Sequence, residues 1–181
     1  MKFFVRNIII CLFCSNLLIS QELIIGQERV EPGIVFIFEG AIKDIVFPKS
    51  NNLDESLTNV HIEARVNWDE KNIPSGTPTG GFVPYLNINA TITNKRTGQM
   101  TFVDLTPHLN LIDNFHYARN ISLPGKVDDL YNVIFIVHPP EKLALSYHKD
   151  WSDSFTNKLF ETTIFEYKNV DFEEIAKSSR R

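Results

Sequence analysis

The chain has 181 residues and a formal net charge of −4, and 43% of its residues are hydrophobic. This length is sufficient for one hydrophobic core and one domain. The 18 basic and 22 acidic residues form no basic stripe, which argues against a nucleic-acid-binding protein. The only two cysteines, Cys11 and Cys14, lie near the N-terminus. Core packing rather than disulfides must therefore hold the domain together.

The N-terminal segment has the pattern of a secretory signal. Lys2 and Arg6 precede an apolar run over residues 8–19, which is too short to span a bilayer. Ser20 suits the last position before cleavage. We therefore expect a signal peptide over residues 1–20, either cleaved or retained as an anchor, and a location outside the cytoplasm.

Short segments with period-two alternation or continuous apolar character recur along the chain, and each predicts a strand. Glycine and proline residues separate them at regular intervals. Residues 94–98 are expected to form a hairpin turn with Gly98 at a positive φ. The predicted strands cover residues 34–38, 41–47, 60–68, 82–93, 99–105, 115–123, 130–138 and 159–168.

The segments between the strands carry turn-forming residues and no helical periodicity. We expect a leader ending in a turn at 31–33, and loops at 48–58, 72–81, 106–114 and 141–158. This succession of short strands predicts an all-β fold, an antiparallel β-sandwich. The expected division is a signal peptide at 1–20, one domain at 21–170, and a C-terminal tail at 171–181 with a short helix.

The third predicted strand, residues 60–68, alternates without exception. Its apolar side chains, at every second position from Val60 to Trp68, should point into the core. His61 and Glu63 share the opposite face. Two residues apart on a strand, these side chains stand about 6.5–7 Å from each other and can reach one cation. A solvated polar face gives the same pattern, so the pair alone does not distinguish a metal site from a surface.

Three further histidines lie in or beside predicted loops, namely His108, His116 and His148, and His138 ends a strand. In a sandwich they can converge with His61, and imidazole with carboxylate suits Cu(II), Zn or Fe(II). Their spacing is neither that of a zinc finger nor His-Glu-x-x-His, so ordinary surface histidines remain an alternative. Neither Gly-x-Ser-x-Gly nor a glycine-rich phosphate loop occurs, and we expect no enzyme activity.

Several separated motifs occur in a fixed order between residues 33 and 170. They are His61-Ile62-Glu63-Ala64, Phe82-Val83-Pro84-Tyr85-Leu86, Thr91-Ile92-Thr93-Asn94 with Thr97-Gly98, Pro107 with His116-Tyr117, and Pro139-Pro140 with His148-Lys149-Asp150. In this order they resemble the periplasmic iron-transport proteins that bind copper and accompany a high-affinity iron permease.

The resemblance implies an immunoglobulin-like sandwich, usually a homodimer, with a copper or iron site near the dimer interface. It implies an inner-membrane iron permease as partner and a periplasmic location. The ligands it implies here are His61, Glu63, His116 and His148. The family has a methionine ligand after the proline that matches Pro107.

His108 occupies that methionine position, and we include it among the expected metal ligands. Imidazole in place of thioether favours Cu(II) or iron over Cu(I). The family also often has a His-x-His motif in the loop that follows the double proline. In this chain Ser146 replaces the first histidine of that motif, and His148 is the second.

The expected function is that of a periplasmic metal-binding protein in iron uptake. Two alternatives stay open from the sequence: a sandwich domain for adhesion or scaffolding with incidental histidines, and a surface antigen that sequesters metal without transport.

Overall fold

The structure is a computed structural model that describes residues 22–179, so the predicted signal peptide lies outside the described residues. Eight strands, two short α-helices and one 3₁₀-helical turn, Glu55–Leu57, form this part of the chain. They are β1 Glu22–Val30, β2 Ile34–Ala41, β3 Val60–Trp68, β4 Asn87–Asn94, β5 Met100–Asn110, β6 Asn114–Ile121, β7 Leu130–His138, α1 Lys149–Ser154, β8 Thr163–Asp171 and α2 Glu173–Lys177.

All neighbouring strands are antiparallel, in the order β1-β2-β3-β6-β5-β4-β7-β8, which confirms the predicted all-β antiparallel fold. The sheet curls at β5, because residues 100–105 pair with β4 whereas residues 106–110 pair with β6. The two halves then face each other, and the rings of Phe38 and Phe135 stack with centroids 4.1 Å apart. Tyr167 of β8 reaches Glu28 of β1, so the barrel-like sheet is nearly closed.

The apolar parity of β3 lies in the core, as the alternation predicts. Its first four apolar side chains have no exposed surface, and Trp68 is only 8% exposed. Aromatic side chains from β2, β7 and β8 pack over them, and burial of this kind is the main stabilising contribution to folding.

The polar side chains on the opposite face of β3 are also buried in the first half of the strand. His61 is 3% exposed and Glu63 is 2% exposed. The reason is that the segment after β2 folds over this face, where Asp44 and Leu53 are held by the side chain of Asn120. The first half of β3 is therefore covered on both faces, and His61 does not lie on a solvated surface.

Several boundary predictions were wrong. The strand predicted at 82–93 begins only at Asn87, and the one predicted at 159–168 begins at Thr163. The strands predicted at 34–38 and 41–47 are one strand, β2, which ends at Ala41. The loop predicted at 106–114 is largely strand, because β5 continues through Pro107 to Asn110. Beyond Leu105 the strand pairs with β6 alone, and a proline without an N–H is tolerated on such an open edge.

Several other elements follow the predicted pattern. The hairpin turn after β4 is confirmed, with Gly98 at φ 73°. The short helix α2 lies within the predicted tail. Two segments depart from the prediction: the expected leader is largely strand β1, and the loop expected at 141–158 contains α1. No helix between residues 22 and 179 is long and apolar enough to cross a membrane.

Candidate metal centre

Three strands bring three imidazoles together. His61 comes from β3, while His108 and His116 are direct cross-strand partners on β5 and β6. Each ring offers a nitrogen within 4.8 Å of the others. The centroid of the His61 ring lies 5.2 Å from that of His108 and 6.3 Å from that of His116. The adjacency of β3, β6 and β5, together with the orientation of the rings, thus places three nitrogen donors close together.

The Glu63 carboxylate adds an oxygen donor to this cluster. Its Oε1 lies 3.7 Å from Nε2 of His61 and 4.0 Å from Nε2 of His116. Donor atoms bound tetrahedrally to one ion at 2.0–2.2 Å stand about 3.4 Å apart, so these separations require only a small contraction. Three imidazole nitrogens with one carboxylate oxygen form a donor set that suits Cu(II), Zn or Fe(II).

The orientation of His116 is set by its backbone neighbour. Its Nδ1 lies 3.2 Å from the carbonyl oxygen of Asn114, which can only accept a hydrogen bond. In the neutral ring Nδ1 therefore carries the hydrogen, and Nε2 directs its lone pair toward Glu63. A histidine ligand held in this way is typical of protein metal sites.

Burial controls the charge of His108. Burial lowers the pKa of His108 to about 4, and the neighbouring His61, His116 and Arg119 act in the same direction. The ring is therefore neutral at physiological pH, as a metal ligand must be.

The metal-free protein is expected to lose stability as the pH falls from about 6.5 to about 4. An unfolded histidine takes up a proton near pH 6.5, whereas folded His108 does so only near pH 4. The unfolded chain binds more protons in this interval, so acid favours unfolding. Urea denaturation across the interval measures the effect. The His108→Gln variant has no titrating group at this position, so its free energy of unfolding should decline less steeply with falling pH. A decline as steep as that of the wild type would contradict this cause.

A cavity of about 400 Å³ opens beside the three histidines. One wall is the segment from Asp44 to Phe47, and another is the end of β5 at Leu109 and Asn110. His61 and His116 are almost fully buried but line this cavity together with His108, so an ion that enters the cavity meets all three rings.

Two histidines lie away from the cluster. Exposed His148 directly precedes α1 and lines an apolar pocket with Trp68 and Trp151. Trp68 ends β3, seven residues from His61, which is about 23 Å along a strand. The structure therefore brings together His61, Glu63, His108 and His116 but not His148 of the same chain. His138 also lies apart, with Nδ1 3.1 Å from Oγ1 of Thr162.

Two features of this region were not found from the sequence. Oδ1 of buried Asn120 lies 2.6 Å from Nδ1 of His61. Glu39, which has no exposed surface, is the β2 partner of Glu63 and binds Arg65. Only the pairing of β3 with β2 and β6 reveals either contact. Asn120 lies within a predicted strand, where a polar residue was a weak signal, whereas Glu39 lies between two predicted strands.

A family model described as Fe2+ transport protein matches residues 19–174. A copper-bound variant of Campylobacter jejuni P19 is similar to the chain, with 28% identity, a TM-score of 0.70, and coverage of 82% of this chain and 96% of that one. Copper-reconstituted P19 from the same organism is 27% identical, with a TM-score of 0.68 over 82% and 94% of the two chains.

A copper-bound variant of FetP from uropathogenic Escherichia coli strain F11 shares the fold, with 24% identity and a TM-score of 0.67 over 83% of this chain and 99% of that one. A comparison with curated proteins found no match.

Proposed function

Because the chain belongs to the Fe2+ transport protein family, we propose that it is a periplasmic metal-binding protein of high-affinity iron uptake. The observation that carries the proposal is the convergence of three imidazoles and one carboxylate on neighbouring strands. Burying such a polar set costs free energy, and a bound cation offsets that cost.

Copper and iron are the ions that this proposal names. The two P19 structures carry copper, and the family is named for Fe2+. The nitrogen-rich donor set with His108 favours Cu(II) and Fe(II) over Cu(I), which prefers sulfur ligands. The proposed role is to bind and hand over the ion rather than to catalyse a reaction.

The finer parts of the proposal concern assembly. We propose an immunoglobulin-like sandwich subunit that forms a homodimer and passes iron to an inner-membrane permease. Within one chain, His148 lies beside Trp68 at the end of β3, whereas His61 lies near its start. As a ligand, His148 would therefore come from the second copy, which makes the dimer part of the proposed site.

The proposal predicts one tightly bound Cu(II) per chain at neutral pH. Titration of the purified, exported protein, followed by electron paramagnetic resonance (EPR), should show coupling of the copper to imidazole nitrogens. A matched titration with Fe(II) under anaerobic conditions tests the second ion. Absence of bound metal at micromolar concentrations would favour the scaffold alternative. Metal binding without any growth defect of a deletion strain under iron limitation would favour the sequestering antigen.

A further inference from the structure

We propose that Asn120 is a positioning residue of the metal centre, whose side-chain amide fixes the tautomer of His61 and so directs Nε2 of His61 at the ion. The inference rests on the proposed metal-binding function. Asn120 lies on β6 directly opposite His61 on β3, and its side chain is buried, with 3% of the residue exposed.

The orientation of the Asn120 amide follows from its donors. Its Nδ2 donates to the carbonyl oxygens of Asp44, at 2.8 Å, and Leu53, at 2.9 Å. A flipped amide would place Oδ1 against two oxygens that can only accept. The NH2 group must therefore face Asp44 and Leu53, which leaves Oδ1 facing His61.

The tautomer of His61 then follows from the Asn120 oxygen. Oδ1 accepts only, and it lies 2.6 Å from Nδ1 of His61, so Nδ1 must carry a hydrogen. In the neutral ring the lone pair is then on Nε2, the nitrogen that lies 3.7 Å from Glu63. Of the two neutral tautomers of His61, only the one with the hydrogen on Nδ1 presents the Nε2 lone pair to the ion.

The same amide also holds the covering segment. Asp44 and Leu53 belong to the connection between β2 and β3, and Asp44 lines the cavity beside the histidines. Asn120 thus has two separable tasks: an acceptor for His61 and a double donor to the cover. A test must distinguish loss of the acceptor from loss of the cover.

Two substitutions separate these tasks. Asn120→Asp keeps an acceptor oxygen but removes both donations, whereas Asn120→Leu removes acceptor and donations together. We expect Asn120→Leu to lower Cu(II) affinity by about 10–100-fold, the usual cost of losing a ligand's orienting partner, and Asn120→Asp by less than about tenfold. Asn89→Leu is the matched control, because this asparagine binds Asp104 at the surface of β4 and should keep the wild-type affinity.

A direct readout is the ¹⁵N spectrum of the imidazoles in the metal-free, full-length protein at about pH 8, well above the ordinary histidine pKa. We expect the hydrogen of His61 on Nδ1 in the wild type and in Asn120→Asp, and a mixture of tautomers in Asn120→Leu. This spectrum tests the positioning role even if copper does not bind, so failure of the proposed function is distinguishable.

Three results would overturn the proposal. The first is a hydrogen on Nε2 of His61 in the wild type, which tests the idea even if Asn120→Leu fails to fold. The second is wild-type Cu(II) affinity in folded Asn120→Leu. The third is an equal loss of affinity in the Asp and Leu variants, since the covering segment would then account for the whole effect.

Discussion

Replacing His116 with alanine is expected to lower the affinity for Cu(II) by at least about 100-fold. Loss of the hydrogen-bond partner that orients a ligand already lowers metal affinity by about 10–100-fold, and this substitution removes the ligating nitrogen itself. His116 is 1% exposed, and its Nε2 lies 4.0 Å from Glu63, so no solvent-exposed side chain can easily take its place. Isothermal titration with a competing chelator measures the change at about pH 7.5, well above the ordinary imidazole pKa.

His138→Ala is the matched control for this measurement. His138 ends β7 and contacts Thr162 rather than the cluster, so its removal should leave Cu(II) affinity unchanged. His108→Ala should have an intermediate effect, because His108 is only half-buried and its loss is more easily compensated by solvent. Equal affinities for the three variants would show that the proposed cluster does not bind the ion.

Replacing Arg65 with alanine is expected to lower the free energy of unfolding by about 3–5 kcal/mol, the cost of leaving a buried charge without its partner. Glu39 has no exposed surface and accepts two hydrogen bonds from Arg65, at 2.7 and 2.5 Å. Glu22 also approaches Arg65, at 3.7 Å, but remains nearer to solvent. Urea denaturation of the metal-free protein at neutral pH measures the loss.

The pH dependence of this loss identifies its cause. Burial raises the pKa of Glu39, and the Arg65 guanidinium opposes the rise. Without the Arg65 guanidinium, the pKa of Glu39 rises further, so the ionised carboxylate costs more free energy in the folded state. Below the unfolded glutamate pKa of about 4.3 both states hold the proton and the cost disappears.

The deficit of Arg65→Ala should therefore be smaller at about pH 4, below that pKa, than at neutral pH. The double substitution Glu39→Met with Arg65→Met serves as the control, because an apolar pair of similar volume is often neutral or stabilising. A neutral-pH loss below about 1 kcal/mol, the upper range for exposed pairs, would mean that solvent reaches Glu39.

The sequence by itself determined the local elements. The bounds of β3 and β7 match the predicted strands, because strict alternation from Val60 to Trp68 allows only one register of the apolar face. Gly98 marks the hairpin after β4, since a positive φ there favours glycine. The ordered motifs also predicted the family, which the match over residues 19–174 confirms.

The tertiary structure alone decided how the polar residues are arranged. Period-two alternation gives the face of His61 but not what covers it, and the cover comes from a segment that Asn120 holds. His61 and Asn120 are 59 residues apart in sequence, so their contact depends on the register between β3 and β6. Likewise, only the packing of the segment before α1 against Trp68 shows that His148 lies at the other end of β3 from His61. Contacts between distant segments depend on packing, which a local sequence pattern does not encode.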